Sequence, residues 1–139
     1  MKRQRAVVAT AGRVPGLYWV IAFLIAKRIV VRGRSMIPAF SPGERVLFDR
    51  LAYSIDDPLV GDIVLARHPA RPGVRMIKRV AEVGDENEYV LLGDNAEEST
   101  DSRTLGPFRR KDIVGRAWVV YWPADRFRVI RRSPMSGRS

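Results

Sequence analysis

Apolar and polar positions divide this chain into two regimes. The first is a single long apolar run, VPGLYWVIAFLIA at residues 14–26, closed by Lys27 and Arg28. It is shorter than the roughly 20 residues a helix needs to cross a bilayer. The run predicts a short helix that lies on a membrane surface or packs on the body, with Tyr18 and Trp19 suited to an interface. It does not read as a cleaved signal peptide, because no small-x-small site cleanly precedes Ser35. From residue 44 onward the pattern becomes short apolar stretches between Gly, Pro and Asp: RVLFD, DIVLAR, VRMIKRVAEV, EYVLL and DIVGRAWVVYWP. These predict strands. The chain is therefore read as mainly β, a β-fold domain preceded by one short apolar helix.

Length keeps the architecture simple. A chain of 139 residues with 46% hydrophobic content buries one modest core. The expected organisation is a basic segment at 1–13, an apolar helix and lead-in at 14–32, a working domain at 33–123, and a basic, loose tail at 124–139. Charge supports that division. Residues 1–34 carry eight Lys or Arg and no acid, residues 35–123 carry twelve against fourteen acids, and residues 124–139 carry five against one. A nucleic-acid reader carries its basic patch on the folded face that docks. Basic ends around a near-neutral body suit solvated tails or contact with anionic lipid instead.

The candidate chemistry is narrowed by what is missing. There is no Cys and only one His, His68 in ARHPARPG, which is expected in an exposed loop. A disulfide framework, a thiolate nucleophile and a multi-His metal site are excluded. Side chains alternate along VRMIKRVAEV, so Val74, Met76, Lys78 and Val80 share one face, and Arg75, Ile77 and Arg79 share the other. Lys78 thus sits on the more apolar face, in a chain with 21 Arg and only four Lys. Arginine stays protonated, whereas a desolvated ammonium can become a base near neutral pH. A packed stem with its tip in water fits the same strand.

A hydroxyl needs a base, and a Ser/Lys pair supplies one without His. In GRSMIPAF, residues 33–40, Gly33 permits a close turn and Pro38 removes an amide donor, so Ser35 falls where regular pairing ends. Residues 93–107, GDNAEESTDSRTLGP, form a polar loop that begins with a tight turn at Gly93, Asp94 and Asn95. Its hydroxyls can bond local backbone, or one of them can fix the amine of Lys78 while Asp101 and Arg103 pair to shape the loop.

Together these three stretches resemble the signature boxes of the type I signal peptidase family of Ser/Lys endopeptidases. SMIPAF is similar to the nucleophile box, MIKRV to the base box, and GDNAEESTDSRTLG to the family's GDN-x-x-x-S-x-D-S-R-x-x-G box. The resemblance covers about residues 31–123. It implies the β fold shared by signal peptidases and LexA-type repressors, with Ser35 as nucleophile, whose own backbone N–H would bind the oxyanion, Lys78 as general base and Ser99 as the hydroxyl orienting it. Asp101 and Arg103 match a structural ion pair, and Asp94 and Asn95 the turn ahead of it. No metal and no cofactor are implied.

Two departures stand out. Many bacterial members have a serine two residues before the nucleophile that helps bind the oxyanion, and here the residue is Gly33. Only 14 residues separate Lys78 from Gly93, which leaves no room for a large inserted β subdomain. The short spacing most resembles the nickel-type superoxide dismutase maturation proteases, a branch that implies a dismutase precursor as partner, trimmed at its N-terminus. The expected place of action is then the cytoplasm, with membrane contact through residues 14–31. A general signal peptidase, a self-cleaving repressor and a non-catalytic basic binding module are the competing readings; the 34 residues before Ser35 supply no DNA-binding domain.

Overall fold

One antiparallel sheet organises the computed structural model, which describes residues 15–132; the expected basic segment 1–13 and the chain end from residue 133 lie outside the described residues. The elements run α1 (Pro15–Ile25), β1 (Lys27–Val30), β2 (Arg45–Asp49), α2 (Ala52–Ile55), β3 (Ile63–Arg67), β4 (Arg75–Val83), β5 (Glu88–Leu92), α3 (Ser102–Leu105), β6 (Phe108–Arg109), β7 (Ile113–Trp122) and β8 (Arg128–Val129). The sheet order is β1-β2-β7-β3-β4-β5-β6. Strand β7 is the longest. It pairs β3 through Ile113–Arg116 and β8 through Val119 and Val120, while β2 runs along its other side. The mainly β expectation and the short preceding helix are both observed.

Both faces of the sheet are buried at its centre. Ile63 and Leu65 of β3 join Phe40, Val46, Phe48 and Val120 in one core. Val64 and Ala66 turn the other way, toward Tyr53, Val80, Leu91 and Phe108. A two-sided burial of this kind explains why β3 reads as a continuous apolar run. Helix α1 packs on the sheet through one side only. Ala22 is fully buried, Ala26 joins Leu47 and Val119, the Trp19 ring lies 5.2 Å from that of Trp118, and the Tyr18 hydroxyl donates to Asp49 at 2.9 Å.

Two expectations change. The lead-in after the helix is not featureless: Lys27–Val30 forms the edge strand β1, paired with β2, as its β-branched Ile29 and Val30 favour. Nor is the stretch after Pro123 loose as far as residue 132. It returns along β7 as β8 and brings arginines onto buried carboxylates. Arg128 donates to both oxygens of Glu44 at 3.0 Å and to the Ala39 carbonyl at 2.8 Å. Arg132 holds both oxygens of Asp62 at 2.8 and 3.0 Å. Glu44 and Asp62 are 3% and 2% exposed, so each needs a cationic partner.

Removing one of those partners leaves a buried charge. Arg132→Ala should lower stability by about 2 kcal/mol, because Asp62 then keeps only its bonds from Tyr53 and the Leu59 amide. Thermal unfolding checks this; an unchanged Tm would mean that the C-terminal arginines decorate the sheet without holding it.

Candidate active site

Strand β4 carries Lys78 inward. The side chain is 3% exposed and lies opposite Val64 of β3, so its ammonium has little water to solvate it. Its Nζ donates to Ser99 Oγ at 3.0 Å, and the Ser99 hydroxyl donates to Asp101 Oδ2 at 2.6 Å. The single proton of Ser99 is thereby committed to the carboxylate. Toward Lys78 the hydroxyl can only accept, which takes one N–H of the amine and leaves its remaining valences toward the groove. Burial lowers the Lys78 pKa below its ordinary value; the nearby Asp101 charge opposes the shift and Arg103 reinforces it.

Asp101 is fully buried and stays ionised for a specific reason. Burial alone pushes its carboxyl up. Hydrogen bonds from Arg103, the Gly93 amide and the Ser99 hydroxyl override that and hold it far below the usual carboxylate range. Arg103 donates through its side chain and its backbone to Asp101, and Gly93 N donates at 2.7 Å. The expected ion pair and its loop are both present.

Ser35 sits in the turn 33–40, half-buried. Met36 and Phe40 fix that turn from below by entering the core. Asn95 fixes it from the side: its backbone N–H donates to the Ser35 carbonyl at 2.8 Å and its Nδ2 to the Arg34 carbonyl at 3.0 Å. Ser35 and Lys78 line one groove of about 320 Å³, together with β1, Gly33, Met36, Leu65 and residues 75–77 of β4. Among the described residues the Ser35 N–H donates to no protein acceptor, which leaves it available to a ligand oxygen. Gly33 has φ +77, a conformation that a serine at this position would adopt only under strain.

The groove separates two strand edges. Strand β1 pairs on one side only, with β2. In β4, residues 75–79 pair with β3, but β5 takes up the other side only from Arg79 onward. Backbone groups on both sides of the groove are thus open to an extended chain.

The roles of Asp94 and Asn95 go beyond a turn. Asp94 pairs bidentately with Arg79 at 2.8 and 2.9 Å, locking the 93–103 loop to the residue beside Lys78, and Arg79 also donates to the Gly61 carbonyl. Arg34 and Glu98 form a further exposed link between the two loops. His68 stands apart, in the β3–β4 connection, where Nδ1 accepts from the amides of Ala70 and Arg71. Among the described residues no cluster of His, Asp or Glu is arranged to hold a metal ion.

Comparison with known proteins gives a family match. The chain matches the family described as Signal peptidase, peptidase S26, over residues 4–86 and 81–122. The chain belongs to that family of serine peptidases. It is 32% identical over 131 residues to mitochondrial inner membrane protease subunit 1 of Xenopus tropicalis, covering 79% of this chain and 77% of the relative. It is 32% identical over 123 residues to the Arabidopsis thaliana mitochondrial ATP-independent inner membrane protease subunit 1a, covering 73% of each chain. A shorter match, 51% identical over 41 residues, joins 30% of this chain to 20% of signal peptidase I from Streptococcus pneumoniae. These relatives support the family as a whole and leave the narrower nickel-dismutase branch without their backing.

The geometry around Lys78 makes three stability predictions. Gly93→Ala should damage the site, because a Cβ there would overlap Ser99 Oγ and come within 2.6 Å of Ser99 Cβ and 2.8 Å of the Ser35 carbonyl; backbone cannot yield as a flexible side chain would, so both Tm and activity should fall. Asp101 has a lowered folded pKa, so its stabilisation is full above the unfolded carboxylate range near pH 4 and is lost as pH falls below it. Asp101→Asn should therefore flatten part of the acid limb of a stability–pH curve. Lys78 has the opposite effect. Between its lowered folded pKa and its ordinary value the unfolded chain holds a proton that the folded chain has given up, and the stability lost over that interval stays lost at lower pH, so Lys78→Met should be no less stable than the parent at pH 7, as thermal melts will show.

Proposed function

We propose that this chain removes N-terminal leaders from precursor proteins at a membrane surface, using Ser35 as nucleophile and Lys78 as general base. The observation that carries the reading is the groove shared by Ser35 and a buried Lys78 whose amine is oriented by Ser99. An extended precursor segment lies along the open edges of β1 and β4. Lys78 takes the Ser35 proton as Oγ attacks the scissile carbonyl, and the oxyanion faces the Ser35 N–H. Lys78 then gives that proton to the leaving amine. A water that Lys78 deprotonates attacks the acyl-enzyme, and as the ester bond breaks Lys78 returns that proton to Ser35 Oγ.

Helix α1 supports the membrane part. One side packs on the sheet, while Leu17, Val20, Ile21, Phe23, Leu24 and Ile25 are 39% to 71% exposed. No described helix is long and apolar enough to cross a membrane, so the helix is read as lying in the interface beside Lys27 and Arg28. It leads directly into β1, which lines the groove.

A second reading keeps the chemistry and changes the substrate. Strands β4 and β5 are joined by a short turn at residues 84–87 with no inserted subdomain. That compactness favours a soluble nickel superoxide dismutase precursor with a flexible N-terminal extension. Incubating the full chain with a secretory preprotein in membranes and, separately, with the dismutase precursor distinguishes the two by N-terminal mass spectrometry. Trimming of the preprotein supports the first reading; trimming of the dismutase alone replaces it with the second.

The dyad itself is tested by substitution and pH. Ser35→Ala and Lys78→Arg should each lower kcat by at least about 10³-fold, the second because arginine does not give up its proton at any working pH. Ser99→Ala should be milder, about tenfold. The pH–rate profile should rise with pH through the lowered Lys78 pKa, on the acid side of the ordinary lysine value of 10.5. A Lys78→Arg enzyme of near-normal turnover, or a rate that falls steadily from pH 6 to 9 in folded protein, would remove lysine from the mechanism.

A further inference from the structure

The arginines near the dyad sort into two groups. Arg34, Arg79 and Arg103 each end on a carboxylate, of Glu98, Asp94 and Asp101 respectively. Farther away, Arg128 and Arg132 do the same with Glu44 and Asp62. Arg32 and Arg75 differ. Both are exposed, both line the groove that holds Ser35 and Lys78, and among the described residues neither forms an ion pair or a side-chain hydrogen bond. No Asp or Glu lines that groove. Its walls are otherwise apolar: Ile29, Val30, Val31, Met36, Leu65 and Ile77 among them.

Their positions are matched. Arg32 lies three residues before Ser35 and Arg75 three residues before Lys78. Along the extended β4, at about 3.3 Å per residue, Arg75 is about 10 Å from Lys78; Arg32 follows β1 and precedes the turn that carries Ser35. An occupant pairing with the open edge of β4 therefore meets the Arg75 guanidinium some three residues from the bond under attack, with Arg32 lining the same groove from the β1 side. The fold has supplied a carboxylate to each of the other arginines around the dyad and none here, so the complementary charge must come with whatever fills the groove.

Resting on the peptidase reading above, we propose that Arg32 and Arg75 make this groove selective for extended peptides with Asp or Glu about three residues from the scissile bond. The two arginines bind and do not take part in bond breaking. They act on substrate affinity, and their effect weakens as salt rises.

The test uses the full chain, a library of peptides obtained by digesting a whole proteome, and sequencing of the new ends by mass spectrometry, with Ser35→Ala as the control. Cuts that depend on Ser35 should show acidic residues enriched about fivefold at a position three or four residues from the bond, the ceiling expected of one exposed ion pair. In Arg32→Gln/Arg75→Gln that enrichment should fall to about one, and in Arg32→Glu/Arg75→Glu it should pass to Lys and Arg. Ser35-dependent cuts without acidic enrichment, or with an enrichment the double variants leave unchanged, overturn the proposal while the peptidase reading stands. If instead the wild type shows no preference and Arg32→Gln/Arg75→Gln detaches the protein from anionic lipid vesicles, the two arginines serve the membrane and the proposal is wrong. Absence of any Ser35-dependent cut overturns the peptidase reading and this proposal together.

Discussion

The hydrogen bond from Ser99 to Asp101 sets the direction of every other polar contact around Lys78. A buried carboxylate that already receives Arg103 and the Gly93 amide can only accept, so the Ser99 proton has one destination. Lys78 then meets an acceptor, and its amine is oriented by a group that cannot take its lone pair. The Asp101–Arg103 pair is weak evidence for stability, since burying a charge offsets much of what pairing returns. Its consequence lies in orientation. An apolar replacement could fill the same volume without telling a serine where to point.

The same economy of contacts joins the two loops of the site. Gly93 must lack a side chain because a Cβ there would collide with Ser99 and with the Ser35 carbonyl. Asn95 reaches back to the Arg34 and Ser35 carbonyls, and Asp94 reaches sideways to Arg79. Three consecutive residues thus contact the serine turn, the lysine strand and the orienting hydroxyl. From β8, Arg128 closes the end of the serine turn through Glu44 and the Ala39 carbonyl, with its guanidinium also over the Phe40 ring. Arg132 holds Asp62, next to the Gly61 carbonyl that receives Arg79. Chain segments far apart in sequence converge because each ends on a charge that burial does not allow to stand alone.

Much of this was legible in the sequence, for identifiable reasons. The five long strands follow from apolar runs bounded by Gly, Pro and Asp, and the inward face of β4 follows from its alternation, which correctly separated Lys78 from Arg79. Strands β1, β6 and β8 were not read. Two of them have only two residues, and β1 directly continues an apolar run whose helix ends at Ile25. The C-terminal arginines looked like solvated charge because their partners lie 84 and 70 residues away, at separations where no local pattern operates. Asp94 and Asn95 read as turn formers, which they are; that the turn also clamps its neighbours depends on tertiary placement. Periodicity therefore carries the fold class and motif spacing the candidate site, while the connections between them depend on tertiary placement.

A lysine that acts as a base must be kept from water, yet its substrate must reach it. In this fold the two demands meet at the open edges of β1 and β4. Behind Lys78 the packing is complete, with Val64 and Val80 buried beside it. In front lies the groove, lined by Met36, Ile77 and Leu65. On the proposed reading, an extended peptide that pairs with the strand edges replaces water in that groove with backbone and side chains. Desolvation already lowers the lysine pKa in the free protein, and the peptide extends it to the remaining open side. The base is then most nearly neutral when a scissile bond lies beside it, and most easily protonated when the groove holds only water. Strand pairing, which supplies affinity, also completes the environment that the chemistry requires.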